Sequence, residues 1–283
     1  MKTLLSIDGG GLFGVGVANW LPKLAGNWKF DCYAGTSVGS ILAACYATGM
    51  SPAEVQKLFN SDLPKKMFTK EGGVKGLAGL ANYTTKGARD ALASVFGDMK
   101  VSEVKHPLVI VAWNYNMNKE KVFSQSSNSS YLLRDAVLAS ISAPTYFRPL
   151  KLKNEEGKEE QLGDGGVCGN DPSLAGITEM LKKQKVDIKD IKCLSIGTTG
   201  EPREKKIKIS TIKDWIPILT DVITLGNVAY TSYCVRHILG NRYLKVSPDA
   251  LPRGSMDNFK LVPKIKEAWE KHPEKEALNF LRK

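Results

Sequence analysis

A chain of 283 residues with 42% apolar and 24% charged residues can bury a sizeable core, which excludes a disordered or low-complexity polypeptide. Its 40 basic and 29 acidic residues leave a net charge of +11, so an anionic partner is expected; nucleic acid and an anionic lipid surface both qualify. The five cysteines (32, 45, 168, 193 and 234) are odd in number and form no C-x-x-C pair, which points to reduced thiols in a reducing compartment and gives a zinc site no support.

Thr3–Ile7 predicts an opening strand. Its apolar run stops at Asp8, far short of a secretory h-region, and no later stretch has the length of a membrane span. A cytoplasmic protein with at most peripheral membrane contact is expected. The strand runs into Asp8-Gly9-Gly10-Gly11-Leu12-Phe13-Gly14 and a helix through Leu24. This loop has two readings. It satisfies G-x-G-x-x-G, with Asp31 at the distance of a ribose-binding acid. Equally, consecutive glycine N–H groups at a helix start can form an oxyanion hole.

Phe30–Ala34 predicts a second buried strand, and Ile41–Cys45 the core of a helix. Between them Gly35-Thr36-Ser37-Val38-Gly39 fits the G-x-S-x-G nucleophile elbow, a serine at the apex of a strand-to-helix turn. Two glycines let the backbone turn sharply, and the helix N-terminus favours negative charge developing beside the serine. The competing reading is a Gly/Ser loop that merely caps a helix.

Ser51-Pro52-Ala53-Glu54 forms a capping box that starts a helix to about Asn60. Residues 61–85 read as an irregular segment, either a lipid-facing flap or an ordinary surface loop. A helix is predicted from Gly87 to Phe96, and Pro107–Trp113 is a continuous apolar run typical of a central parallel strand. A short strand near Val122-Phe123 and a helix over Leu132–Ile141 follow. Glu155–Glu160 reads as a charged hairpin tip before Leu162-Gly163-Asp164-Gly165-Gly166. Asp171-Pro172 begins a helix to Gln184, and Ile191–Ile196 is another buried strand. Strands alternating with helices predict an α/β fold with a mainly parallel sheet covered on both faces. The last third is more basic: Arg203, Lys205, Lys206, Lys208 and Lys213 stand against Glu201 and Glu204. Trp215–Leu239 reads as an amphipathic helix that lies on its own domain or on a membrane, and Val262–Arg282 as short helices broken at Pro273. The expected organisation is a core over residues 1–200 and a helical, basic extension over 201–283 packed on the same domain.

A serine nucleophile needs a base. None of the three histidines (106, 237 and 272) stands in a loop that reads as catalytic, so a carboxylate is the alternative. Asp164, in a turn with little side-chain cover, can approach a serine closely if desolvation raises its basicity; by itself Asp-Gly-Gly also reads as a simple turn.

Together these motifs resemble the patatin-like phospholipases. Ile7–Gly11 is similar to the family's oxyanion loop, Gly35–Gly39 to its elbow, and Ala143-Pro144-Thr145-Tyr146-Phe147 to its A-P-T-Y-F segment. Asp164-Gly165-Gly166, with Asn170 and Pro172, resembles its D-G-G/A motif, and Leu194–Thr198 a further strand. The resemblance covers about residues 3–200. It implies a three-layer α/β/α fold and a Ser37–Asp164 dyad without histidine. Amides of Gly9, Gly10 and Gly11 would form the oxyanion hole, with Gly14, Gly35, Gly39, Gly165 and Gly166 supporting the turns. The implied reaction is phospholipase A-type hydrolysis of membrane phospholipid esters without metal or nucleotide cofactor, the positive charge serving a peripheral lipid surface at the inner face of the membrane rather than a nucleic acid polymer. The family's loop commonly carries a basic residue where this chain has Phe13, a change that backbone donors should survive. Some compact bacterial members are antiviral effectors switched on by cyclic nucleotides, so such an activator is a candidate partner, as is a second copy of the chain. The other readings are a weakly catalytic binding protein on the same fold and a dinucleotide-binding oxidoreductase using Asp31.

Overall fold

The computed structural model describes residues 1–70, 83–200, 211, 222–252 and 254–283. Residues 71–82 of the irregular segment, most of the basic stretch 201–213, and 215–221 of the amphipathic stretch lie outside the described residues. Eight strands form one sheet: β1 (Lys2–Ile7), β2 (Cys32–Thr36), β3 (Leu108–Asn114), β4 (Lys119–Ser124), β5 (Leu150–Lys153), β6 (Glu159–Asp164), β7 (Ile191–Ile196) and β8 (Tyr243–Val246). Their order is β5-β6-β3-β2-β1-β7-β8, with β4 also paired to β3. The centre is parallel, from β3 through β2, β1 and β7 to β8; the β4 and β5–β6 side is antiparallel. All the carboxyl ends of the parallel strands therefore meet at one edge.

The described helices are α1 (Gly14–Trp20), α2 (Val38–Ala47), α3 (Pro52–Phe59), α4 (Leu63–Met67), α5 (Thr85–Phe96), α6 (Leu133–Ile141), α7 (Gly166–Gly169), α8 (Ser173–Lys182), α9 (Asn227–Leu239), α10 (Val262–Lys271) and α11 (Lys275–Arg282). They cover both faces of the sheet. Side chains of a strand alternate between faces. Leu5 and Ile7 of β1 accordingly join a core with α1, α2 and α6, whereas Leu4 joins a second core with α8 and α9. Three layers result, with β1 and β2 buried on both sides.

Local signals explain the helix ends. The Ser51 capping box forms as expected, its hydroxyl accepting from the Glu54 N–H while Glu54 accepts from the Ser51 N–H. The helix expected to run through Leu24 changes after Trp20 to a 3-10 segment over Leu21–Asn27, where Pro22 removes a backbone donor. Glu159–Glu160, read as part of a hairpin tip, instead begin β6, and β8 is a strand where none was expected. Both elements are short and carry too little apolar alternation to be legible alone.

The tail closes the first layer. Trp269 of α10 and Trp20 of α1 are fully buried with ring centroids 5.4 Å apart, and the Trp20 indole N–H donates to the His272 carbonyl at 3.0 Å. The helices meet closely at Gly16, where a Cβ would lie 2.0 Å from the Trp269 ring.

Candidate active site

Sheet register brings the two candidate catalytic residues together. β4 occupies one edge of β3 along its length, so β2 and β6 share the other. β2 pairs in parallel as far as Thr36 with Val111, and β6 pairs antiparallel from Asp164 with Ala112. The two strands thus abut end to end, and the residue leaving each, Ser37 and Asp164, meets the other across 127 residues of sequence.

Ser37 sits at φ 51° and ψ −128°, a strained conformation at the apex of the elbow. The flanking glycines are steric necessities. A Cβ on Gly35 would lie 2.2 Å from the Gly39 carbonyl oxygen, and one on Gly39 would lie 2.0 Å from the Ile7 carbonyl oxygen. The Ser37 N–H donates to Ser140 Oγ at 2.9 Å, and the Ser140 hydroxyl donates to the Val111 carbonyl at 2.6 Å. Ser140 of α6 therefore ties the strained turn to β3. Sequence reasoning missed it because a serine inside a helix carries no signal of what its hydroxyl reaches.

The Ser37 hydroxyl donates to Asp164 Oδ2 at 2.7 Å, and the Gly166 N–H donates to Asp164 Oδ1 at 2.7 Å. Burial pushes the Asp164 carboxyl up to about 6, against the opposing pull of these two hydrogen bonds. A carboxylate poised there accepts a proton near neutrality far better than an exposed one. Among the described residues no histidine hydrogen-bonds to Ser37 or Asp164. His106 lies on the amino side of β3 near Tyr33, His237 Nδ1 donates to the Tyr233 carbonyl on α9, and His272 packs against Trp20 and Trp269.

The glycine loop follows β1 directly beside the elbow. Thr198 Oγ1 donates to the Gly9 carbonyl, the Leu12 N–H donates to the Met256 carbonyl at 2.8 Å, and Asp8 is gripped by Lys245 at 2.8 and 3.0 Å. Phe13 is buried in the core, and its N–H donates to the Gly10 carbonyl at 3.2 Å. The Gly9 N–H donates to the Asn170 carbonyl at 3.1 Å, so that amide is committed to the fold. The N–H groups of Gly10 and Gly11 have no partner among the described residues. Asp31 stands at the other end of the sheet, bound to the Lys2 ammonium and the Thr3 N–H at 2.8 Å each. It cannot serve a ligand on the glycine loop, which removes the dinucleotide reading.

Ser37 opens into an apolar slot of about 50 Å³, walled by side chains that include Leu12, Ile41, Leu63, Met67, Phe68 and Phe147. A buried serine hydroxyl bonded to a carboxylate of raised basicity, beside unpartnered amides and the N-terminus of α2, is equipped for acyl transfer.

Comparison with known proteins agrees. The model of the patatin-like phospholipase family matches residues 5–175. The chain is 27% identical over 234 residues to a cUMP-AMP-activated phospholipase of Escherichia coli, covering 76% of this chain and 70% of the relative. It is 28% identical over 240 residues to a cGAMP-activated phospholipase of Escherichia coli strain TW11681, covering 75% and 66%. Among solved structures, VipD from Legionella pneumophila shares the fold with a TM-score of 0.54 at 13% identity, over 99% of this chain and 66% of that one. The chain belongs to the patatin-like phospholipase family, hydrolases of lipid acyl esters.

Proposed function

We propose that Ser37 is the nucleophile and Asp164 the general base of a phospholipase A-type reaction. The observation that carries this is the 2.7 Å hydrogen bond from Ser37 Oγ to a buried carboxylate raised to about 6. Ser37 Oγ attacks the ester carbonyl carbon as its proton passes to Asp164 Oδ2. The resulting oxyanion is met by the Gly10 and Gly11 N–H groups and by the positive end of α2. Collapse breaks the ester C–O bond, and protonated Asp164 delivers its proton to the departing alkoxide of the lysolipid. Water then gives its proton to Asp164 and attacks the acyl-enzyme, releasing a fatty acid and restoring Ser37.

The substrate class follows from the slot. Its apolar walls, Met67 and Phe68 among them, suit an acyl chain. The net charge of +11 supports approach to an anionic bilayer, and no described helix is long and apolar enough to cross one. The relatives named for activation by cGAMP and cUMP-AMP support a second element of the reading, that a cyclic dinucleotide switches this hydrolase on.

Hydrolysis of phosphatidylglycerol-containing vesicles tests the chemistry, with acylation of Ser37 by a fluorophosphonate located by mass spectrometry. With cGAMP or cUMP-AMP present, wild type should turn over and be labelled at Ser37, while Ser37→Ala does neither. Labelling at another serine, or full activity in Asp164→Asn, would exclude the dyad.

A further inference from the structure

The glycine loop has a second side. Opposite the Ser37 slot lies a crevice of about 390 Å³ between α9 and the carboxyl ends of β1, β7 and β8. Its position has a topological cause. The chain leaves β1 to enter α1, which packs in one core, whereas α9, on the path from β7 to β8, packs in the other. Where adjacent parallel strands send their connections to opposite faces, the connections part and leave a crevice at the carboxyl ends, the general ligand position of open α/β sheets. Here the parting falls between β1 and β7.

The crevice carries complementary chemistry. One face of α9 lines it with Ser232, Tyr233, His237 and the guanidinium of Arg236, and the Tyr233 and His237 rings lie 4.3 Å apart. On its floor, Lys245 is held by Asp8 and Asp171 at 2.8 Å each and by Ser195 Oγ at 3.1 Å. Ser247, 8% exposed, lines the same floor, and its buried hydroxyl has no hydrogen-bond partner among the described residues. An orphaned buried hydroxyl is costly unless a ligand completes it. A guanidinium suits a phosphate, an aromatic pair suits a planar ring, and a polar floor suits the ring's hydrogen-bonding edge.

We propose that the crevice between α9 and the ends of β1, β7 and β8 is the regulatory site for a phosphate-bearing nucleotide, and that occupancy reaches the reaction through Lys245 and Asp8. This rests on the reading of a nucleotide-switched lipid hydrolase and adds the place and the coupling. The path is short. Asp8 opens the oxyanion loop, and Asp171 follows Asn170, whose carbonyl holds the Gly9 N–H. Ser232 on the crevice wall donates to Asp171 Oδ2 at 3.4 Å, so a ligand drawn against α9 pulls on the same carboxylate that Lys245 shares with Asp8. A shift of that shared ammonium moves the amides of Gly10 and Gly11 relative to Ser37.

Titration calorimetry of the full chain with cyclic GMP–AMP, cyclic UMP–AMP and inorganic phosphate tests the site, alongside vesicle hydrolysis with and without each. One of the two dinucleotides should bind and raise hydrolysis. Arg236→Glu and Tyr233→Ala, both at exposed positions, should each weaken its affinity at least tenfold with a melting temperature within about 2 °C of wild type; Ser247→Ala should weaken it by a smaller factor. Activation by a dinucleotide that binds Arg236→Glu and Tyr233→Ala as tightly as wild type would overturn the crevice while leaving a nucleotide-switched enzyme. Hydrolysis by wild type with no nucleotide binding would overturn both the crevice and the switch, leaving the dyad untouched. Binding that the variants abolish, without any change in hydrolysis, would keep the site and overturn its coupling to the oxyanion loop.

Discussion

Two crevices open at the carboxyl edge of the same sheet, separated by the Asp8–Gly11 loop, and they are built on opposite plans. The Ser37 slot is apolar, about 50 Å³, and its one polar pair is internally satisfied, hydroxyl to carboxylate. The α9 crevice is about 390 Å³, sets charged and hydroxyl side chains into a largely apolar wall, and leaves the Ser247 hydroxyl without a partner among the described residues. The first suits a reaction that must exclude water and admit an apolar chain; the second suits a hydrated ligand held by charge and hydrogen bonds. The loop between them is shared, Gly11 lining one side and Asp8 the other.

The sharpest break in this contrast is the dyad itself. Ser37→Ala or Asp164→Asn should lower vesicle hydrolysis roughly 10⁴-fold or more, measured as fatty acid released. Asp164→Asn should also gain stability. A carboxyl raised from its usual 3.8 to about 6 contributes stability below pH 3.8 that is lost as pH rises through 6, so near pH 7.5 the buried charge costs up to about 3 kcal/mol. Urea unfolding at pH 7.5 should show a higher midpoint for Asp164→Asn than for wild type, a difference that shrinks toward pH 4.

On the other side of the loop, Lys245→Met leaves Asp8 and Asp171 buried without their shared cation. A loss of about 3–5 kcal/mol in urea unfolding is expected, the cost of stranding a buried charge. A loss below 1 kcal/mol would mean that the ammonium is not what holds the two carboxylates. Ser140→Ala is a smaller change. It leaves the Ser37 N–H buried without its acceptor, with an expected cost of about 1–3 kcal/mol and a fall in kcat of tenfold to a hundredfold, while KM changes little. Ser140→Thr, which keeps the hydroxyl, should recover part of the kcat; equal losses in both variants would mean packing, not the hydrogen bond, sets the elbow. The mildest test is pH. Because Asp164 must be ionised to take the serine proton, kcat/KM on a soluble ester should rise with pH and level off above about 6, and His106→Ala should leave that profile unchanged.

Much of this molecule is local in its sequence. The strand-to-helix elbow at Gly35–Gly39, the capping box at Ser51–Glu54 and the apolar run before Asn114 each satisfy their own backbone and burial requirements within a few residues, so the pattern alone determines them. The α/β class follows from the same alternation, and the pairing of Ser37 with Asp164 was reachable because four motifs in a fixed order resemble one family. Only the tertiary structure decided the rest. That β2 and β6 abut on one edge of β3, that a helical serine anchors the elbow, and that Gly9 spends its amide on Asn170 are consequences of register between distant segments. Lys245 is the clearest case: a lysine in a short, weakly apolar strand carries no mark in the sequence, and it becomes the cation beneath the glycine loop only because β8 docks in parallel against β7, 237 residues after Asp8. Hydrogen bonds and ion pairs of that range depend on which strands end beside each other, and neighbouring residues hold no record of it.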